Sequence, residues 1–180
     1  MSGTFLGVSF PWQKVTPSDD AAVRRALLSD GVLFGCGLSY VGSTLTMQPG
    51  QAIACGRQFR HTAAESWAVN GATSGYARLL LTIDLTGAST EDSFDQIKTS
   101  IDYASSIDGF QALMQQDVND DGTFYQIPVC VLSLGPGGIT GIESHWSDSV
   151  PLLRLTMGTS VGYTLPENPV DGQFFILIKE

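Results

Sequence analysis

Charge is scarce in this chain, and positive charge is scarcest. Only 15% of the 180 residues are charged, with 9 Lys and Arg against 18 Asp and Glu and a formal net charge of −9. No basic stripe exists to displace counterions from a phosphate backbone, which argues against nucleic-acid binding. Histidine is limited to His61 and His145, and cysteine to Cys36, Cys55 and Cys130. An odd number of cysteines without paired spacing argues against a disulfide framework or a zinc site. Buried free thiols in a chain folded in reducing cytosol are expected instead. Long apolar runs are also missing. The longest, Phe174 to Ile178, is far too short to span a bilayer, so a soluble chain without membrane insertion is expected. The first residues lack the basic-then-apolar order of a secretory signal.

What the chain does contain is glycine, 20 residues of it, and a hydrophobic share of 43% broken into short runs. That composition fits a turn-rich, mainly β protein better than a helical bundle, and the length fits one ordinary domain with a full core. The exception stands near the start. Thr16-Pro17-Ser18-Asp19 reads as a helix N-terminus: Thr16 as cap, Pro17 at the first position, Asp19 closing a capping box. The helix is expected over residues 17–30, with Val23 and Leu27 on its docking face, Asp20 one turn before Arg24, and Gly31 as its stop.

Strands follow. Residues 3–10 read as a leading strand or extended arm, with Trp12 an anchor at the helix entrance. Leu38–Val41 and Thr44–Met47 flank a two-residue turn, a hairpin signal, and Gln51–Cys55 continues the meander after Pro49-Gly50. Tyr76–Leu85 is the strongest strand, apolar enough for burial on both faces. Phe94–Ala104 fits helical spacing through Ile97 and Ile101, but its Ser and Thr content favours a strand. Gly109–Met114 is expected to form one helical turn. In Phe124–Leu134, Pro128 predicts an edge or a bulge, and Ile139–Glu143 closes a hairpin. The fold expected is a β-sandwich of short antiparallel strands with one packed N-terminal helix. It occupies residues 1–143, and residues 144–180 form a C-terminal extension ending in a hairpin.

No active site assembles from the sequence. Asp117, Asn119 and Asp121, with Gly122, match the first half of a calcium loop, yet Pro128 stands where the closing Glu belongs; a turn is the preferred reading. His145, Asp148 and Ser149 are hydrolase residue types, but they crowd into five positions instead of coming from separate elements. His61 has no partner at metal-ligand spacing. No catalytic residue and no cofactor is assigned. Trp67, Trp146 and Tyr163 could stack on sugar rings, although aromatics more often fill a core or an interface. Phe10, Trp12, Arg24, Arg25, Phe34, Arg57 and Phe59 are the candidate interface residues.

Residues 10–143 resemble the N-terminal domain of baseplate proteins from long-tailed phages of Gram-positive hosts, namely upper baseplate proteins and receptor-binding-protein shoulders. The resemblance is carried by Val15–Asp20, Leu27–Leu33, Leu45–Gly50, Ala54–Arg57, Arg78–Leu85 and Asp121–Val129. It implies a virion structural protein of the tail tip, assembled in the host cytoplasm. Such a protein is a three- or six-fold oligomer that attaches peripheral or receptor-binding components to the tail during host adsorption. The chain departs from many relatives in lacking a coiled coil or large head domain after the module, which favours an adaptor. The alternative is a carbohydrate-binding receptor-recognition module that takes a host cell-wall glycan. A hydrolase is the weakest reading.

Overall fold

A computed structural model describes residues 15–70, 75–91 and 94–149. The expected arm at residues 3–10, Phe10, Trp12, Tyr163 and the terminal hairpin lie outside them. The capping box forms as the sequence dictates. The Asp19 amide donates to Thr16 Oγ1 at 3.2 Å, and the Thr16 amide donates to Asp19 Oδ2 at 2.9 Å. Helix α1 (Pro17–Leu27) then runs eleven residues and ends three short of the expected stop. Leu28 is already extended, and its N–H caps Arg24 O at 2.8 Å. Gly31 does not end the helix. It opens the next strand at φ +146°, where a Cβ would collide with the Ser147 carbonyl.

Ten strands follow among the described residues: β1 (Gly31–Gly35), β2 (Leu38–Val41), β3 (Thr44–Met47), β4 (Gly50–Ala54), β5 (Arg57–His61), β6 (Glu65–Ala68), β7 (Gly75–Asp84), β8 (Ile97–Ala104), β9 (Phe124–Gly135) and β10 (Gly138–His145). They form three antiparallel sheets, ordered β1-β4-β5, β2-β3-β6 and β10-β9-β7-β8. The protein is mainly β, as its composition implied. One core joins the sheets. Leu79, Leu81, Ile83, Val129 and Leu132 of the four-stranded sheet meet Leu45, Met47, Ala52 and Ala54 of the two smaller ones. In β7 the alternate residues Arg78 and Leu80 are buried as well, at 8% and 6% exposure, so this strand is covered on both faces.

Pro128 produces the bulge that was one of its two expected consequences. Leu79 pairs with Cys130 and Leu80 with Pro128, so Val129 is a bulge. β10 covers β9 only from Gly135 back to Cys130; beyond it Trp146 N bonds Val129 O and residues 114–116 pair with Phe124–Gln126, so the ladder on that side is interrupted at Ile127 and Pro128. Phe94–Ala104 resolves to the strand β8. The helical turn expected at Gly109–Met114 is absent: a single 3₁₀ turn sits earlier, at Ile107–Gly109. Gln126 explains the shift. Its amide donates to Met114 O at 2.8 Å and its side chain accepts from Met114 N at 3.0 Å, which holds Met114 extended beside β9. β10 runs to His145, and Val32 and Ser149 exchange backbone bonds with Ser147 and Val32, so the packed unit continues past residue 143.

Candidate interaction surfaces

The docking face of α1 is not the one its apolar spacing predicts. Val23 and Leu27 are 61% and 55% exposed, and Ala21 is the buried residue at 1%. Gly56 is the cause. A Cβ there would overlap the Ala21 carbonyl, so a glycine lets the helix backbone lie directly on the β4–β5 turn. Small residues make that contact, and the branched ones are turned outward.

The turn itself is held by groups distant in sequence. Cys55 and Gly56 have φ of +49° and +75°, both left-handed, as a two-residue hairpin turn requires. Cys55 lacks the side-chain carbonyl that makes Asn comfortable there. Its N–H donates instead to Asp30 Oδ1 at 2.7 Å, and its C=O accepts from Asn119 Nδ2 at 2.7 Å. The other Asp30 oxygen accepts from Tyr125 Oη at 2.7 Å. Burial, and then this bond, hold the Tyr125 phenol far above its ordinary pKa. Arg57 donates to Ser18 Oγ at 3.1 Å and to Val118 O at 2.7 Å, and Arg25 pairs with Asp117.

These partners correct several expectations. Arg25 and Arg57 brace α1 against β5 and the 117–122 turn, and Arg24 pairs with Asp20 along the helix. The Asp117 carboxylate is taken by the Asn119 backbone N–H and Arg25, which lower its pKa in that order, and Asn119 Nδ2 is given to Cys55 O while its Oδ1 is buried without a partner. Asp121 is exposed. The half calcium loop is thus a turn that locks the helix. No cluster of three or more metal-ligating side chains occurs among the described residues.

The hydrolase residue types are not linked into a hydrogen-bonded triad, although His145 and Asp148 line one cleft with Cys36. Ser149 Oγ donates to Ser29 O at 2.6 Å, and His145 Nδ1 lies 2.8 Å from Trp146 O. All three cysteines are buried and unpaired, and burial raises their thiols, Cys130 to about 11. Such thiols are poor nucleophiles at neutral pH.

On the outer face of β7, Arg78 makes a two-pronged pair with Asp102, Nε to Oδ1 at 3.2 Å and Nη2 to Oδ2 at 2.6 Å. The same Nη2 donates to Gln111 O at 2.9 Å, and the guanidinium sits 4.6 Å over the Phe110 ring. One arginine thereby pins the 105–114 segment over the sheet. Sequence reading missed it because its three partners lie 24 to 33 residues away, beyond any local spacing rule.

The aromatic candidates divide. Trp146 is 9% exposed with its ring centroid 6.4 Å from that of Phe59, so neither presents a free platform. Trp67 packs against the core and its Nε1 donates to Thr99 Oγ1 at 3.1 Å. The expected sugar-stacking role is corrected for Trp146, which is a core residue; Trp67 is half-buried against the core with its indole N–H engaged. Phe34 keeps its place on the surface, 58% exposed on the edge strand β1.

Three sheet edges, β5, β6 and β8, meet at a cleft of about 390 Å³. Met47, Leu81 and Ile97 form an apolar floor, Phe94 stands beside it at 63% exposure, and Arg60 and Glu65 set opposite charges on the lining. His61 Nε2, on this lining, is buried and has no hydrogen-bond partner. A scan against protein-family models and a search of curated proteins find no match to this chain.

Proposed function

We propose that the chain is a non-enzymatic structural subunit of a phage tail tip or baseplate, an oligomeric adaptor that joins peripheral or receptor-binding components to the tail. The observation that carries the assembly part is the exposure of large apolar side chains on two elements. Val23 and Leu27 stand exposed on the outer stripe of α1, and Leu33 and Phe34 stand exposed on the edge strand β1. Exposed apolar side chains favour lasting side-by-side association, and the outer edges of β5, β6 and β8, unpaired by any described strand, add to it because a neighbour removes both liabilities at once. The virion part rests on the sequence resemblance of residues 10–143 alone. Of the three aromatic platforms of the glycan-binding alternative, Trp146 is buried in the core and Trp67 is half-buried against it.

The test is substitution of the exposed residues. Val23→Ser, Leu27→Ser and Phe34→Ser combined should leave circular dichroism unchanged and shift the sedimentation coefficient from oligomer to monomer. An assembly of unchanged mass would contradict the reading.

A further inference from the structure

Successive residues of a strand point to opposite faces of its sheet. The cleft is lined by Gln58, Phe59, Arg60 and His61 in succession, so it runs along the edge of β5 and not over one face. That edge is open: β5 pairs with β4 on one side, and no described strand pairs with the other. Beneath the open edge lies the apolar floor of Leu81 and Ile97. An unpaired backbone edge above an apolar floor is the arrangement that receives an extended peptide, with main-chain bonds on one side and alternate side chains buried below.

We propose that this cleft takes the segment Thr4–Phe10 of a second copy of the chain as an added strand, antiparallel to β5. The inference rests on the assembly reading above. Leu6, Val8 and Phe10 alternate with Phe5, Gly7 and Ser9, which gives the segment one apolar face, and residues 1–12 carry no charged side chain. The chain leaves the described fold beside the same strand, since Ser18 in the first turn of α1 accepts from Arg57. It leaves outward, because Val15, Thr16 and Pro17 are all exposed and Thr16 is extended. The fourteen residues before Val15 can span about 46 Å, against about 17 Å for a five-residue strand, which is ample to reach a neighbour. An arm passed from each copy to the next is a head-to-tail contact, which closes into a ring where the rotation between copies divides a full turn.

The test uses the full chain and its Leu6→Asp/Val8→Asp variant, compared by native mass and by amide exchange of Arg57–His61 at a concentration where the wild type is assembled. The proposal expects at least tenfold weaker association of the variant, unchanged circular dichroism, and lost protection of those β5 amides that are not bonded to β4. Lost protection with unchanged mass would mean that each arm folds onto its own cleft, and would overturn the proposal. Lost mass with unchanged β5 protection would place the arm elsewhere and overturn it too. Unchanged mass and protection would do the same while leaving the assembly reading standing. A wild-type chain already monomeric would remove that reading by itself. A Phe175→Asp variant that alone deprotected β5 would give the cleft to the C-terminal segment and overturn the proposal.

Discussion

Asp30 holds three parts of the molecule with one carboxylate: it follows α1, and its two oxygens take the Cys55 amide and the Tyr125 hydroxyl. Hydrogen bonds to a charged acceptor are worth about 1.5–3 kcal/mol each, and a buried donor left alone costs a comparable amount. Asp30→Ala should therefore lower the unfolding free energy by about 2–4 kcal/mol, and Tyr125→Phe by about 1 kcal/mol. Denaturant titration measures both, and a loss below about 1 kcal/mol for the Asp30 variant would remove its assigned role. Arg78 makes the same kind of claim on the other face. Arg78→Ala should cost about 3 kcal/mol and expose Phe110, read as faster amide exchange around Gln111. Neither residue was legible in advance. Asp30 reads as an ordinary acidic residue after a helix, and its partners stand 25 and 95 positions away.

At the scale of elements, α1 shows what local chemistry decides and what packing decides. The capping box was legible because Thr16, Pro17 and Asp19 form it among themselves. The buried face was not, because it is chosen by Gly56, 35 positions after Ala21 in the sequence. Gly56→Ala should therefore destabilise the fold by about 2–4 kcal/mol through the left-handed penalty and the displaced helix, whereas Val23→Ser should change the folding stability of the monomer by less than about 0.5 kcal/mol. Equal effects in urea titrations would return the helix to its expected face. Acid should loosen the same region. The Asp19 carboxyl is held low by Thr16, and that of Asp117 by the Asn119 amide and then Arg25. Asp84 is likewise lowered, by Thr86 and then Lys98. Folded pKa values below the unfolded value of about 3.9 give stability that is full above about pH 5 and lost as pH falls through the depressed values. Thermal melts should be flat from pH 7 to pH 5 and drop below about pH 4, less steeply in Asp19→Asn/Asp117→Asn. An undiminished slope in that variant would assign the acid sensitivity elsewhere.

For the whole molecule, the sheet content and most strand positions were readable from alternating runs and turn residues, including the Pro128 irregularity and the preference for a strand at β8. The convergence of β5, β6 and β8 on one cleft was not, because three-dimensional sheet order leaves no mark in a single strand. What the subunit leaves open is the basis of its proposed role: exposed Val23, Leu27 and Phe34, and the outer edges of β5, β6 and β8, which no described strand pairs. The most direct measurement is the native mass of the full chain at micromolar concentration. The account predicts three or six times the 19.2 kDa chain mass in one closed species. A stable 19.2 kDa monomer across that range would contradict it.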